Sequence, residues 1–138
     1  RNRLPAEDLI ARYLAKGAFP TVNNVVDGCN AACVQFLVAM AVFDMDKLNG
    51  QLVVRHARPE EEFQQIGRDR PSRLPPERIV LADDTRVISL FAFKDSQFTK
   101  ITPTTENVLL AACQVPGIAD ETLEEALDYA TALISSSP

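Results

Sequence analysis

Two polar segments interrupt apolar stretches of this chain, and their residue types could line a binding site. Residues 23–30 open with two asparagines after a proline and a threonine, which is typical of a helix start whose side-chain oxygens cap backbone amides. Asp27 and Asn30 follow one helical turn apart, on one face. The second segment, residues 43–50, again places acids and amides where a plain core would have apolar residues. We therefore expect a polar helix face that serves a ligand.

A third candidate is the segment 94–107, which is dense in hydroxyl, amide and charged groups and follows directly on an apolar strand pattern. Loops on a rigid sheet edge are where sites are often built. Lys94 and Lys100 could neutralise a phosphate or a carboxylate, and Ser96 and Thr99 could hold a polar ligand by hydrogen bonds. The same hydroxyls could equally cap a turn, so both interpretations stay open at this point.

His56 is the only histidine, and it falls within a predicted strand with no serine or cysteine nucleophile near it in sequence. A catalytic triad is defined by geometry rather than by sequence position. A surface or packed strand histidine is therefore favoured over a catalytic one.

The chain has three cysteines, Cys29, Cys33 and Cys113, an odd number that fits reduced thiols in the cytoplasm better than a disulfide framework. Cys29 and Cys33 are spaced to share a helical face, but a structural zinc needs four ligands and no second pair is present. The sequence predicts no metal site and no cofactor. The two thiols are interpreted as small buried side chains, with Cys29 kept as a reactive candidate because it lies near a helix start.

The elements that must position these groups follow from periodicity and turn residues. Helices are predicted at 5–17, 22–40 and from Asp120 to about Ile134, the last with Asp120 as its N-cap. Strands are predicted at 51–57, 62–66, 78–82, 85–93 and 107–115, with a loop at 68–76 and a hairpin turn at Asp83 and Asp84. This order predicts an α+β fold: a layered β/β/α domain with a mainly antiparallel or mixed sheet packed by helices.

With 138 residues and 46% hydrophobic content, residues 1–138 are predicted to form a single domain with its own core. The chain opens at Arg1 without a charged and apolar leader, so we expect no signal peptide, and the start also fits a piece of a longer chain. The longest apolar run, residues 31–43, is too short to cross a bilayer, so no membrane role is expected.

Net charge is −5 with a pI of about 4.8, so the chain lacks the broad basic field of an autonomous nucleic-acid binder. Any nucleic-acid contact must depend on a local patch. Six arginines lie between residues 55 and 78, but Glu60, Glu61 and Glu62 interrupt them, and a solvated mixed-charge loop is the favoured interpretation. The arginines concerned are Arg55, Arg58, Arg68, Arg70, Arg73 and Arg78.

Five groups of residues, in order between residues 20 and 116, carry a resemblance to a known family. They are Asn23 to Asp27 with Asn30; Phe43 and Asp44 with Asp46 to Leu48 and Gly50; Val53 to Arg55 with Ala57; Ile79 to Asp83; and Thr105 with Asn107 to Leu110. Together they resemble the editing and tRNA-binding domain in the beta chain of phenylalanyl-tRNA synthetase and its freestanding relatives. The pattern of Asp95-Ser96 with Thr99 to Thr102 is more similar to the freestanding members.

The resemblance implies a layered α+β domain whose pocket hydrolyses the ester that links a wrong amino acid, typically tyrosine, to tRNA. Freestanding relatives would perform this reaction in trans or bind RNA. Three residues depart from the synthetase pattern on the editing pocket: Ala41 stands in place of a histidine, Cys29 of a threonine and Gln97 of a glutamate. The scaffold residues match, and the residues that handle the substrate differ.

Two hypotheses follow. The first is a tRNA-binding domain of this family, either a portion of a synthetase-like protein or a freestanding deacylase that hydrolyses mischarged aminoacyl-tRNA. The second is a non-catalytic module for an amino-acid-like ligand or a protein, which kept the fold and lost the pocket. Pocket candidates are Asn24, Asp27, Cys29, Asn30, Ala41, Ser96, Gln97 and Thr99, and the candidates for contact with tRNA are Lys94 and Lys100. Expected partners are tRNA or aminoacyl-tRNA and other synthetase subunits or domains, in the cytoplasm and without a membrane.

Overall fold

The computed structural model of this protein describes residues 23–90 and 94–136. Within them lie two α-helices, eight strands and two 3-10 turns. The helices are α1 (Asn24–Phe36) and α2 (Asp120–Ser136), and the 3-10 turns are Met45–Lys47 and Gln97–Thr99. The strands are β1 (Met40–Asp44), β2 (Val53–His56), β3 (Glu62–Phe63), β4 (Ser72–Arg73), β5 (Ile79–Ala82), β6 (Val87–Leu90), β7 (Lys94–Asp95) and β8 (Val108–Ala112). The α+β prediction is confirmed.

Of the described residues, 23–42 and 110–136 form one compact unit, and 43–90 with 94–109 form a second. Strands β1 and β8 pair as a two-stranded sheet, and the boundary between the units falls inside both strands. The first unit otherwise consists of the two helices, and the second contains all the other strands. The predicted helix at 5–17 lies outside the described residues.

Helix α1 begins where the asparagine pair predicts it. Asn23 is its N-cap, and the side-chain Oδ1 accepts a hydrogen bond from the Val26 amide at 2.9 Å. The predicted end at residue 40 was wrong. Leu37 takes a left-handed conformation with φ of 54° and ends the helix. The apolar residues that follow form strand β1, which the sequence analysis did not predict.

The two helices of the first unit approach closely at Gly28. A Cβ on this glycine would lie 2.8 Å from Cγ1 of Ile134 in α2, which is closer than such contacts occur. Phe36 and Tyr129 add an edge-to-face ring contact, with their centroids 5.5 Å apart. The expected apolar face of α2 is present, and its small residues Ala126 and Ala130 are fully buried.

The second unit is built on a four-stranded sheet in the order β2-β5-β6-β7, in which neighbouring strands are antiparallel. β6 is buried along its whole length and lies at the centre. The core of this unit gathers apolar residues from the sheet and from the loops around it: Ala57, Phe63, Leu74, Val80, Val87 and Leu90.

The predicted hairpin between β5 and β6 is confirmed, and Asp83 explains it. Its Oδ1 accepts hydrogen bonds from the amides of Thr85 at 2.8 Å and Arg86 at 2.9 Å. Its Oδ2 accepts one from the Asn49 amide at 2.9 Å. One buried carboxylate thus closes the turn and ties the 43–50 segment to it.

Other boundaries shift by a few residues, and two short strands were missed: β4, and β7, which lies in the segment predicted as a loop from residue 94. The loop expected at 68–76 contains the short strand β4, which pairs with β3. The strand expected at 62–66 stops at Phe63, after which Gln65 makes an isolated bridge to Ser96. Pro75 and Pro76 do form a turn, closed by the Arg78 amide and the Pro75 carbonyl at 3.3 Å.

Candidate functional site

The polar segment predicted at 94–107 starts on the edge strand of the four-stranded sheet. β7 pairs with β6, with Asp95 opposite Ser89, and the chain then enters the 3-10 turn Gln97–Thr99. Backbone hydrogen bonds fix this turn from two sides: the Ser96 amide donates to the Ile88 carbonyl and the Gln97 amide to the Gln64 carbonyl, both at 2.9 Å. The segment is therefore held rigidly by the sheet.

Asp95 is the most perturbed carboxyl of this segment. Burial raises its pKa to about 6, while a hydrogen bond from the Ser89 hydroxyl, 2.8 Å from Oδ1, partly opposes the rise. A carboxyl that titrates near neutral pH can both give and take a proton, which is the property of a general acid or base. Asp95 was not among the predicted pocket residues, because sequence alone does not show that its side chain is largely shielded from solvent.

The three pocket candidates of the turn have different surroundings. Ser96 is buried, and its hydroxyl caps the turn by accepting a hydrogen bond from the Phe98 amide at 3.1 Å. Gln97 Oε1 accepts one from the Gly67 amide at 3.1 Å. Thr99 is also buried, and its hydroxyl has no hydrogen-bond partner among the described residues. For Ser96 the capping interpretation is therefore correct, and Thr99 carries the unsatisfied polar group.

The two lysine candidates flank this turn with partly exposed side chains. Their backbone carbonyls are engaged: Ser89 Oγ donates to the Lys94 carbonyl at 3.1 Å, and Lys47 Nζ to the Lys100 carbonyl at 3.4 Å. These hydrogen bonds use the main chain, so the ammonium groups of Lys94 and Lys100 are not required to build the turn.

The 43–50 segment serves the scaffold of the second unit. Asp44 is buried and accepts hydrogen bonds from the Thr105 hydroxyl at 2.9 Å and from the Asp46 amide at 3.1 Å, with Lys47 Nζ at 3.4 Å. Burial raises the pKa of Asp44, but these hydrogen bonds and the lysine charge outweigh it and leave the pKa below its usual value. Asn107 Nδ2 donates to both oxygens of Asp46, at 3.1 and 3.3 Å. The residues of the 43–50 segment that carry the family resemblance therefore hold the start of β8 beside the 3-10 turn Met45–Lys47.

The remaining pocket candidates belong to the first unit. Asn24, Asp27, Cys29 and Asn30 lie on α1, and Ala41 lies in β1. Asn24 is exposed, while Asp27 and Asn30 are partly buried. The first unit thus groups these four helix residues, and the second groups Ser96, Gln97 and Thr99.

Cys29 and Cys33 share a helical face as predicted, and both are buried. Cys29 is the sixth residue of α1, beyond the first turn where the charge of a helix end acts. Its position therefore favours the interpretation as a small buried side chain. Among the described residues, no group of three or more His, Cys, Asp or Glu side chains is placed to hold a metal ion.

His56 is exposed on β2, and its Nδ1 lies 2.9 Å from the Glu77 carbonyl, so it is a surface strand histidine. Nearby, Arg55 makes a two-pronged contact with Glu61, with nitrogen to oxygen distances of 2.8 and 2.7 Å. The pair raises the pKa of Arg55 and lowers that of Glu61. At least this arginine of the predicted patch is neutralised by the glutamates that interrupt it.

One contact beside the turn joins residues that sequence analysis did not single out. The guanidinium carbon of Arg86 lies 4.5 Å from the centre of the Phe98 ring, and about half of Phe98 is exposed. In the sequence, the one indication of this contact was an aromatic residue, Phe98, inside a polar segment flanked by lysines. The arginine comes from the preceding hairpin, and sequence spacing gives no indication of that contact.

Comparison with known proteins identifies the family. The profile of the B3/4 domain family matches residues 2–137, and the chain belongs to this family. Among curated proteins, it is similar to the phenylalanine–tRNA ligase beta subunits of Moorella thermoacetica, at 30% identity over 82% of this chain, and of Fusobacterium nucleatum, at 34% over 74%. The chain spans only 14% and 12% of the lengths of these two relatives.

A solved structure supports the fold. An N-terminal fragment of the phenylalanyl-tRNA synthetase beta subunit from Pyrococcus horikoshii superposes with a TM-score of 0.66 at 19% sequence identity. The match covers 80% of this chain and 39% of the fragment. Across the described part of this chain, no helix is long and apolar enough to span a bilayer.

Proposed function

We propose that this chain is a tRNA-binding domain whose RNA contacts are made by the second unit. The observation that carries the proposal is the 3-10 turn Gln97–Thr99, which Lys94 and Lys100 flank in the chain. The protein has 14 lysines and arginines, and four of them, Arg1, Arg3, Arg12 and Lys16, precede the described residues. Ten lie in the second unit: Lys47, Arg55, Arg58, Arg68, Arg70, Arg73, Arg78, Arg86, Lys94 and Lys100. The same unit also carries eleven acidic residues, so phosphate contacts depend on a local group of cations and not on the charge of the unit as a whole.

The cations of the second unit differ in how they are used. Lys47 and Arg55 are held by the carboxylates of Asp44 and Glu61. Lys94 and Lys100 belong instead to the rigid polar segment at the sheet edge, where their main chains alone are needed for structure. The relatives named above are tRNA ligase subunits, which supports an RNA as the partner of this segment.

A titration with bulk tRNA at several salt concentrations tests the proposal. We expect the association constant to fall steeply between about 50 and 200 mM salt, because bound cations displace counterions from phosphate. Lys94→Ala with Lys100→Ala should reduce the slope of log K against log salt by roughly 2. Lys94→Arg with Lys100→Arg is the matched control and should keep the slope. Absence of salt-sensitive binding by the parent chain would contradict the proposal.

We further propose that the domain hydrolyses mischarged aminoacyl-tRNA. Water would add to the ester carbonyl, the bond from the acyl carbon to the ribose oxygen would break, and free amino acid and tRNA would result. Two features support this reaction near the turn: Asp95 has a pKa of about 6, and the buried Thr99 hydroxyl lacks a hydrogen-bond partner among the described residues. The pocket candidates of α1, with Ala41, remain proposed contributors to substrate binding.

A panel of tRNAs carrying wrong amino acids tests hydrolysis. We expect release of at least one amino acid, and slower release by Lys100→Ala, which removes a charge without removing the main-chain carbonyl that Lys47 contacts. Ser96→Ala should also slow release, with thermal unfolding measured in parallel because this hydroxyl caps the turn. Lack of turnover on every tRNA of the panel would refute hydrolysis and leave the binding proposal standing.

The second candidate, a non-catalytic binding module, is favoured by one observation. Ser96 and Gln97 satisfy hydrogen bonds of the protein itself, so two of the turn's pocket candidates already have structural roles. A chain without turnover that binds tRNA would be an RNA-binding module. A chain with neither property would instead serve a small ligand or a protein. Other domains or subunits of a synthetase, in the cytoplasm, are the partners we propose for that case.

A further inference from the structure

Phe98 is a large apolar side chain exposed within the polar segment of the second unit. It is 52% exposed, although the residue that follows it, Thr99, is almost completely buried. Single exposed hydrophobic residues are common and carry no conclusion by themselves. The groups around the Phe98 ring are the evidence for a binding role.

The backbone under Phe98 is fixed before any ligand arrives. Its amide donates to the Ser96 hydroxyl at 3.1 Å. The Gln97 amide is bonded to the Gln64 carbonyl and the Ser96 amide to the Ile88 carbonyl. A ring presented on a rigid turn loses little conformational entropy when a flat ligand covers it.

Arg86 occupies one side of the ring, with its guanidinium carbon 4.5 Å from the ring centre. The start of this side chain is also fixed, because the Arg86 amide donates to the Asp83 carboxylate at 2.9 Å. An aromatic ring and a guanidinium plane are the two kinds of side-chain surface on which unpaired nucleobases stack. Here they lie against each other.

Cationic residues flank this pair in the chain and in the neighbouring loop. Lys94 and Lys100 bracket Phe98 in the chain. The hydrogen bond from the Gly67 amide to Gln97 Oε1 brings the neighbouring loop, with Arg68, to the same turn. A stacking surface within a cationic segment is the combination that single-stranded nucleic acid requires, since stacking is tolerant of sequence and phosphates need cations.

We propose that Phe98 and Arg86 form a stacking platform for an unpaired base at the single-stranded 3′ end of tRNA. This inference rests on the proposed tRNA binding and names the part of the RNA that the turn contacts. In this arrangement the base covers the ring or the guanidinium, and Lys94 and Lys100 neutralise the adjoining phosphates.

Binding to two RNAs tests the platform: intact tRNA, and the same tRNA with its single-stranded 3′ nucleotides removed. Phe98→Ala should weaken binding of intact tRNA about tenfold and leave binding of the trimmed RNA unchanged. Phe98→Trp should preserve affinity for both. Val54→Ala is the matched control: it shortens an equally exposed apolar side chain, 54% exposed, on β2 at the opposite edge of the sheet, and should change neither affinity.

A spectroscopic measurement makes the test independent of affinity. The chain contains no tryptophan, so Phe98→Trp places a single indole at the platform. Intact tRNA should quench its fluorescence by stacking, and trimmed tRNA should quench it far less. Unchanged thermal unfolding of Phe98→Ala would establish that the variant folds.

The outcomes separate the two proposals. If the parent chain binds neither RNA, the proposed function fails and the platform fails with it. If the parent chain binds tRNA but Phe98→Ala binds intact tRNA as tightly, only the platform is refuted. Equal losses for intact and trimmed RNA would also refute it, because the ring would then support the fold or another contact.

Discussion

At the scale of single residues, the second unit raises the pKa of Asp95 and lowers the pKa of Asp44. Both are shielded from solvent and both accept a hydroxyl hydrogen bond, from Ser89 and Thr105 respectively. Asp44 also has a backbone amide and the Lys47 ammonium beside it, which stabilise its negative charge. Burial therefore dominates at Asp95, whereas hydrogen bonds and charge dominate at Asp44.

The raised pKa of Asp95 predicts a pH-dependent stability. The pKa of Asp95 in the folded protein, about 6, lies above its ordinary value of 3.8, so the folded state binds this proton more tightly than the unfolded chain. The contribution of Asp95 to the free energy of unfolding must therefore fall as pH rises through this window, by roughly 3 kcal/mol at most. Asp95→Asn should be more stable than the parent at pH 7.5, by about 1–3 kcal/mol, and lose this advantage at pH 4.

Urea unfolding followed by circular dichroism at both pH values measures this difference. Asp69→Asn removes a carboxyl of the exposed loop and is the control, with a stability profile that follows the parent. A constant difference between Asp95→Asn and the parent across the pH range would contradict the prediction.

Thr105 provides the complementary test at Asp44. Thr105→Val keeps the shape of the side chain and removes the hydroxyl that donates to the buried carboxylate, so we expect a loss of about 1–3 kcal/mol near neutral pH. The pKa of Asp44 is lowered, so its stabilising effect is present above the ordinary carboxyl pKa and is lost as pH falls through the lower folded-state value. The loss should therefore shrink in acid. Thr104→Val, at an exposed hydroxyl, should change stability by less than about 0.5 kcal/mol, and an equal effect of both variants would refute this role.

At the scale of secondary-structure elements, Gly28 sets how closely α1 and α2 can approach. Gly28→Ala alone should gain about 1 kcal/mol in helix propensity but cost more through overpacking against Ile134, for a net loss of about 1–2 kcal/mol. In an Ile134→Ala background the clash is absent, and the same change should be neutral or stabilising. A double-mutant cycle from urea unfolding of the four proteins measures the coupling. The same effect of Gly28→Ala in both backgrounds would show that Ile134 does not limit the approach.

Elements with a local signal could be predicted from the sequence, and those that depend on distant partners could not. The asparagine cap of α1, the aspartate turn after β5 and the period of α2 are local patterns, and all three are present. β1 was missed because a short apolar run fits a helix as well as a strand, and only Leu37 breaks the helix. β4 was missed because two residues become a strand through pairing with β3 alone.

The same limit applies to the candidate site. The segment 94–107 was recognised from its composition, and its first residues form the edge strand of the second unit's sheet and the 3-10 turn after it. Asp95 and the contact of Arg86 with Phe98 were not recognised, because burial and ring contacts are set by the hairpin that packs beside the turn. The burial of a side chain depends on the fold, so it cannot be predicted from the spacing of residues in the sequence.

At the scale of the whole molecule, the single-domain prediction has a direct test. Strands β1 and β8 each contribute residues to both units, so loss of either unit should remove strand partners that the other uses. We expect one cooperative unfolding transition. Phe98→Trp reports on the second unit by fluorescence, and helical circular dichroism reports on α1 and α2 of the first. Coincident urea midpoints are expected, and Gly28→Ala should move both together. Two separate midpoints would establish that the units unfold independently.

The two helices of the first unit are translated at different times. Helix α1 ends at Phe36 and its partner α2 begins at Asp120, so more than eighty residues must be translated between them. At ordinary ribosome speeds this takes about 4 to 17 s. Throughout that interval the face of α1 at Gly28 is not yet covered by α2. Newly made chains of this protein should therefore be substrates for chaperones that recognise apolar helices, until the final turns of α2 emerge.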